Sequence, residues 1–256
     1  MTNKDIFRIA LSQSAVDCNC QPEDFLSGHP KVTVSQSHPG ARKYLPLPFA
    51  CDMVSYGHNV VAQCSEEIAP VALEYISKYP VAHCFETPNL LVLNQMLSPH
   101  DLQVCFMAEY FLPDVDALKQ QPCGYALRLL HQADFENLYL PQWSNALCKD
   151  RKELDVLGVG AYDGDTLVGF AGCSADCEDM WQIGVDVLPE YRRKGIASAL
   201  TSRLALEILA VDKVPFYCAA WCNIKSVRNA IRSGFRPAWV AMTAKEISFV
   251  DQMNRE

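Results

Sequence analysis

Residues 181–208 read WQIGVDVLPEYRRKGIASALTSRLALEI, and the choice of fold turns on them. Ile183, Val185 and Val187 alternate with Gln182, Gly184 and Asp186, so Trp181–Leu188 is predicted to be a strand with one apolar face, stopped by Pro189. Behind it comes the basic run Arg192-Arg193-Lys194-Gly195-Ile196-Ala197. Ile196, Leu200, Leu204 and Ile208 recur every fourth residue with Ala199 beside them, which predicts an amphipathic helix starting at Arg192. The first amides of a helix have no internal acceptor and point outward at the positive end of the dipole, so this basic first turn reads as an anion cradle suited to a pyrophosphate. Gly195 admits a ligand close to the backbone, Ala197 keeps its position small, and the three cations add Coulomb attraction.

Two common nucleotide signatures are absent. No G-x-x-x-x-G-K-[ST] occurs, and Gly158, Gly160 and Gly164 give G-x-G-x-x-x-G on a strand approaching a turn, whereas a dinucleotide fingerprint opens a helix. The stretch VDVLPEYRRKGIASAL (185–200) instead resembles the acetyl-CoA signature of the GNAT acyltransferase superfamily, whose core [QR]-x-x-G-x-[GA] falls here on Arg192, Gly195 and Ala197. Asn223-x-x-Ser226, followed by Gly234-Phe235, is similar to the superfamily's N-x-x-[AS] and G-F segment after its fifth strand. The resemblance covers residues 124–256.

It implies an α/β (α+β) domain over 124–256, with a mixed, mostly antiparallel sheet flanked by helices, and an N-acetyltransferase that moves acetyl from acetyl-CoA to a primary amine of a small-molecule or peptide acceptor. Residues 1–120 are expected to form a smaller α/β domain, similar to the extra N-terminal regions of larger GNAT members and readable as a degenerate second copy of the fold. Carried over by position, the backbone of Val185, Asp186 and Val187 would pair with the pantetheine arm as an added strand. Arg193, Lys194, Gly195, Ile196 and Ala197, with Ser198, would cradle the pyrophosphate, Asn223 would contact the cofactor near the thioester, and Arg192 and Ser226 complete the expected cofactor-binding set. The amide around Val187 would polarise the thioester carbonyl.

An alkylammonium has a pKa of about 10.4, so the acceptor must lose a proton before it attacks. Trp181 stands where certain GNAT members place a catalytic glutamate, which leaves Glu178, beside Asp176 and Asp179, and Glu109, the lone carboxylate of an apolar run, as candidate bases. A structural partner is the commoner reason for a half-buried glutamate. Ala230 occupies the position of the family's usual acid, a tyrosine; a thiolate whose conjugate acid has a pKa of about 8.5 is a tolerable leaving group near neutrality, and Tyr217 or Ser226 could substitute as the acid. The missing acid and base leave a second reading open, a non-catalytic acyl-CoA-binding or regulatory module.

Composition bounds these readings. The chain has 256 residues, 50% hydrophobic and 20% charged, enough apolar side chain for two folded domains and too much for a disordered protein. A formal net charge of -8 argues against bulk-charge binding of nucleic acid, so any basic site must be local. Twelve cysteines are scattered through apolar runs without a C-x-x-C, which reads as reduced thiols in a cytoplasmic protein. The pairs Cys173/Cys177 and Cys218/Cys222 are not expected to hold zinc, since i, i+4 positions on a strand lie about 13 Å apart. No metal is expected. Met1–Cys20 carries Lys4, Asp5 and Arg8 in place of the apolar core of a signal peptide, and no run has the length of a membrane span.

Elsewhere, helices are predicted at Asp5–Val16 and Ser65–Lys78, with a proline-punctuated connection over Gly28–Pro48. The β-prone run Leu102–Leu112 follows, with VCFMAEYFL at 104–112. After a linker at Asp114–Gly124, the expected series is strand (Tyr125–Leu130), helix (Asp134–Leu140), and a strand pair about Asp163-Gly164-Asp165. The 181–188 strand and its helix come next, then strand (Pro215–Ala220), helix (Asn223–Ser233) and a final strand region to Phe249.

Overall fold

The alternating run at 181–188 forms the strand its pattern demands, in a computed structural model that describes residues 1–255. In chain order the elements are α1 (Asn3–Asp17), β1 (Lys31–Val34), β2 (Cys51–Ser55), β3 (Val60–Cys64), α2 (Ala69–Lys78), α3 (Thr87–Leu97), β4 (Leu102–Pro113), β5 (Ala126–His131), β6 (Asp155–Asp163), β7 (Thr166–Ser174), β8 (Met180–Val187), α4 (Ile196–Ala210), β9 (Val214–Ala220), α5 (Ile224–Arg232), β10 (Phe235–Glu246) and α6 (Ile247–Met253).

By their contacts these residues form two units, one of Met1–Ile9 with Phe111–Pro237, the other of Ala10–Tyr110 with the chain from Ala238 onward. A single division at 120–124 does not describe this grouping, because the last strand returns: Val240–Ala244 of β10 pairs antiparallel with Ser55–Cys51 of β2.

In the first unit the strand order is β5-β6-β7-β8-β9. Neighbours are antiparallel from β5 to β8, and β8 and β9, joined through α4, are parallel. This is the mixed, mostly antiparallel sheet flanked by helices. The apolar stripe Ile196, Leu200, Leu204 and Ile208 of α4 is buried against Val159, Val168, Ala171 and Ile183, and such area removed from water is the main stabilising term. The opposite face is organised by a row of glycines in register, Gly158↔Gly172 and Gly172↔Gly184. A Cβ at Gly172 would meet the carbonyl of Ala146, and one at Gly184 that of Asn145, so the absence of side chains lets the segment 143–147 lie directly on the sheet. Here the expected helix at 134–140 is corrected to three 3-10 turns, Gln132–Asp134, Glu136–Leu138 and Pro141–Trp143. Asp134 turns back to accept the His131 amide at 2.9 Å, and Phe135 and Trp143 sink into a cluster with Leu147 and Phe170.

The second unit has strand order β1-β3-β2-β10-β4. Its core gathers Met53, Val60, Ile68, Tyr75, Leu93, Leu97 and Met242. The connection expected over Gly28–Pro48 contains β1, which pairs in parallel with β3 from Lys31↔Val61 to Val34↔Cys64. The region toward Phe249 turns from strand to helix at Ile247. Buried polar and charged groups also sit here. Asp17 and Arg42 form an ion pair at 2.8 Å, and Asp52 accepts hydrogen bonds from Thr243 Oγ1 (2.6 Å) and Gln63 Nε2 (3.3 Å). Lost hydration pushes the Asp52 carboxyl up to about 6.

Candidate functional site

β8 pairs with β7 from Ser174↔Gln182 to Gly169↔Val187, but with β9 only from Met180↔Val214 to Ile183↔Tyr217. Beyond Ile183 the two parallel strands part into a fork. The Leu188 amide donates to the Val168 carbonyl at 3.0 Å. Alternation along the strand then turns the backbone groups of Val185 and Val187 away from β7, toward the fork.

The chain leaves β8 through a 3-10 turn at Pro189–Tyr191 and enters α4 at Ile196, four residues later than the basic run suggests. Arg192–Gly195 is therefore a loop. Arg193 (φ 63°) and Gly195 (φ 82°) are both left-handed, a backbone form that can aim successive amides at one anion. Glycine takes this conformation at little cost, and Gly195 is the residue at which the helix starts. Arg192 Nε donates to the Val187 carbonyl at 3.0 Å, tying the loop to the end of β8, and Ser198 Oγ donates to the Gly195 carbonyl at 3.0 Å.

A groove of about 230 Å³ opens over this loop, lined by Val187, Arg192, Arg193 and Gly195–Ser198 together with Tyr191 and, from α5, Lys225, Arg228, Asn229 and Arg232. Seven residues expected at the cofactor from sequence thus come together: Val187, Arg192, Arg193, Gly195, Ile196, Ala197 and Ser198. The α5 contribution was not foreseen, although positions 225, 228 and 232 fall on one helical face. No carboxylate lines the groove.

The side chains of the other expected cofactor residues have partners within the fold. The Val185 side chain packs on the core. Asp186 accepts the amides of Asn145 (2.9 Å) and Ala146 (3.1 Å) and Asn145 Nδ2 (2.6 Å), holding the 143–147 segment on the sheet. Lys194 turns aside, its Nζ 3.2 Å from the Tyr125 hydroxyl and 4.8 Å from the centre of the Tyr191 ring. Asn223 caps α5, its Oδ1 accepting the Ser226 amide at 3.2 Å, so the N-x-x-S spacing is that of an N-cap and its third helical residue. Gly234 ends the same helix at φ 95°, where a Cβ would come within 2.8 Å of Leu118 Cα, and Phe235 enters the core.

Ser226 Oγ lies 2.8 Å from the hydroxyl of Tyr217. Tyr217 stands opposite Ile183, where the β8–β9 pairing stops, and is only 5% exposed. Burial pushes its phenol above the ordinary value, partly offset by hydrogen bonds to Ser226 and Asn229. Neither glutamate lines the groove. Glu178 is exposed in the turn before β8, at the end of the strand remote from Val187, and Glu109 lies on the part of β4 that belongs to the second unit. A carboxyl that sequence reasoning missed is Asp155, which borders a second groove of about 200 Å³ with Cys148, Arg151, Ser174 and β8 residues Gln182–Gly184. Desolvation pushes it up to about 6 against the Cys148 amide, whose donation lowers it.

The profile of the GNAT acetyltransferase family matches residues 104–238. The chain belongs to this family. Among solved structures, this GNAT protein is similar to a GCN5-related N-acetyltransferase-like protein from Streptococcus suis 89/1591, with 20% identity and TM-score 0.44 over 60% of this chain and 69% of that one. It is also similar to a GCN5-related N-acetyltransferase from Kribbella flavida, with 15% identity and TM-score 0.48 over 59% and 62%. A third, from Sphaerobacter thermophilus, has 15% identity and TM-score 0.46 over 64% and 57%. The similarity to the last two spans less than two thirds of their length. No curated protein matches the chain. Among the described residues of this GNAT protein, no helix is long and apolar enough to cross a membrane, and no cysteine is in a disulfide.

Proposed function

We propose that this GNAT protein is an N-acetyltransferase that moves an acetyl group from acetyl-CoA to a primary amine of a small-molecule or peptide acceptor, in the cytoplasm. The observation that carries the reading is the fork beyond Ile183, toward which the Val185 and Val187 backbone turns, with Val187 lining a cationic groove free of carboxylates. A pantetheine arm can add to such a strand edge while the Arg192–Ser198 loop takes the pyrophosphate. Acetyl-CoA supplies the acyl carbon as a thioester. The Val187 amide faces the fork as an oxyanion donor.

Tyr217 is a phenol that its ordinary pKa of about 10, raised further by burial, keeps protonated at neutral pH, and it is the candidate to deliver a proton to the departing thiolate, its hydroxyl hydrogen-bonded with Ser226. For the base, Asp155 has better support than Glu109 or Glu178: it borders a groove against β8 and titrates near 6, so at pH 7 it accepts a proton. Such a groove, on β8 residues next to the fork, suits the acceptor amine.

Calorimetric titration of acetyl-CoA tests the reading, with the Arg193→Glu/Gly195→Asp double variant as control. Micromolar binding lost in the variant supports the groove as the cofactor site and opens a screen of amines by thiol release. Absence of binding by the folded wild type overturns it. The carboxylate-free lining favours one alternative, a non-catalytic acyl-CoA-binding module. Binding without thiol release from any amine, unchanged in Asp155→Asn, Glu109→Gln and Glu178→Gln, would select it.

A further inference from the structure

We infer that Cys51 and Cys64, which face each other across β2 and β3, form a modification site: a thiol pair that a small disulfide oxidant closes into one cross-strand bond, fastening together the two walls of the groove beside it. The pairing register sets the two residues directly opposite. Which kind of opposition this is follows from the next hydrogen bond out, in which the Ser65 amide donates to the Ala50 carbonyl at 3.1 Å. Ala50 and Ser65 are thus a hydrogen-bonded pair, and by alternation Cys51 and Cys64 are a non-hydrogen-bonded one, with Cα atoms about 4.5 Å apart and side chains at their closest. Both side chains lie on one face of the hairpin, buried in the cluster that holds Met53, Ala62, Ile68 and Ala72. A disulfide spans Cα separations of about 4.4–6.8 Å, so the bond needs rotation of the sulfurs and little movement of the backbone.

Packing of a thiol as a small apolar side chain does not call for such a pair: Cys173 faces Leu157 on β6 and Ile183 on β8. The chain on either side of the two cysteines builds a groove of about 450 Å³. Pro48, Phe49 and Ala50 lead into Cys51 on one wall, and Ser65, Glu67 and Ile68 follow Cys64 on the other. With both thiols reduced, the Ser65–Ala50 hydrogen bond ties the walls at their base, and the disulfide adds a covalent tie next to it. Burial raises the Cys64 thiol to about 11 and the Cys51 thiol further, so Cys64 supplies the first thiolate. It attacks one sulfur of a disulfide such as oxidised glutathione and expels one glutathione thiolate; the Cys51 thiolate then attacks the Cys64 sulfur and expels the second. Two protein thiols are oxidised to one S–S bond, one glutathione disulfide is reduced, and the two protons end on the glutathione thiols. Both cysteines are buried, so the exchange waits on local opening of the strand ends and is slow.

The test equilibrates the full chain with oxidised glutathione at mildly alkaline pH, with and without urea below the unfolding transition, then alkylates free thiols and maps tryptic peptides by mass spectrometry. Peptide 44–78 holds Cys51 and Cys64 and no other cysteine. It is expected to lose two hydrogens and to take up no alkylating reagent, faster in urea and reversibly with dithiothreitol. The oxidised protein is expected to melt about 5 °C or more higher, the scale of closing a loop of about 15 residues, with exchange of the Ser65 amide slowed about tenfold or more; Cys51→Ala/Cys64→Ala should abolish both changes. Two alkylatable thiols at equilibrium, or a separate glutathione on each, overturns the pair. A bond that forms while Ser65 exchange stays unaltered, or a rise in Tm that persists in the double variant, overturns its hold on the groove.

Discussion

Asp186→Ala should loosen the segment 143–147 from the sheet that carries the fork. The carboxylate accepts three hydrogen bonds, from the Asn145 amide, the Ala146 amide and Asn145 Nδ2. Bonds to a charged acceptor are worth about 1.5–3 kcal/mol each in mutational series. Asn145 is exposed, so water replaces most of what its two donors lose, whereas Ala146 is buried and its stranded amide carries a desolvation penalty of about 1–3 kcal/mol. The expected loss is therefore about 2–4 kcal/mol, or a fall in Tm of roughly 4–16 °C for a chain of this size. Asp186→Asn, which keeps one acceptor and the shape, should lose about half as much. Thermal denaturation followed by circular dichroism reads the global effect, and amide hydrogen exchange at Ala146 reads the local one. A change in Tm of about 1 °C or less with unaltered exchange at Ala146 would refute the idea that this carboxylate anchors the segment.

Three further outcomes are expected. Gly184→Ala should destabilise by about 2 kcal/mol or more in urea denaturation, because the added Cβ falls on the Asn145 carbonyl, which is backbone and can yield only if the 143–147 segment lifts. Asp52 has a folded pKa of about 6 against an ordinary 3.8, so the folded state holds its proton longer than the unfolded chain does. Stability contributed there is full below about pH 4 and is lost as the pH rises through about 6, a fall of about 3 kcal/mol that Asp52→Asn should flatten in urea midpoints measured across that window. Tyr217→Phe should cut kcat by about 10²-fold with the KM for acetyl-CoA unchanged, and Ser226→Ala should cost less; wild-type kcat in Tyr217→Phe would remove it as the acid.

The local patterns were legible wherever one stretch of chain carried its own physics. The alternation at 181–188, the fourfold recurrence from Ile196 to Ile208, the Asp163-Gly164-Asp165 turn and the cap and stop at Asn223 and Gly234 each depend on residues within a few positions of one another. They were enough to reveal the family, the mixed sheet, and seven of the residues that meet in the groove. Features that need a distant partner were not legible. Lys31–Val34 becomes a strand because β3 lies beside it, and 134–140 gives up a regular helix because Phe135 and Trp143 gain more by burial against Phe170. Arg192–Gly195 sits outside the helix because two left-handed residues turn the chain there. The gathering of α5's cations over the loop, the meeting of Tyr217 and Ser226 where β8 and β9 part, and the raised pKa of Asp155 all arise from packing between different elements of the fold. Sequence alone determined which residue types are present and which faces are apolar, since these are local properties of hydrogen bonding and hydration. Tertiary structure decided which charged groups share a groove and which lose their water, because field and burial depend on neighbours that only the folded chain brings near.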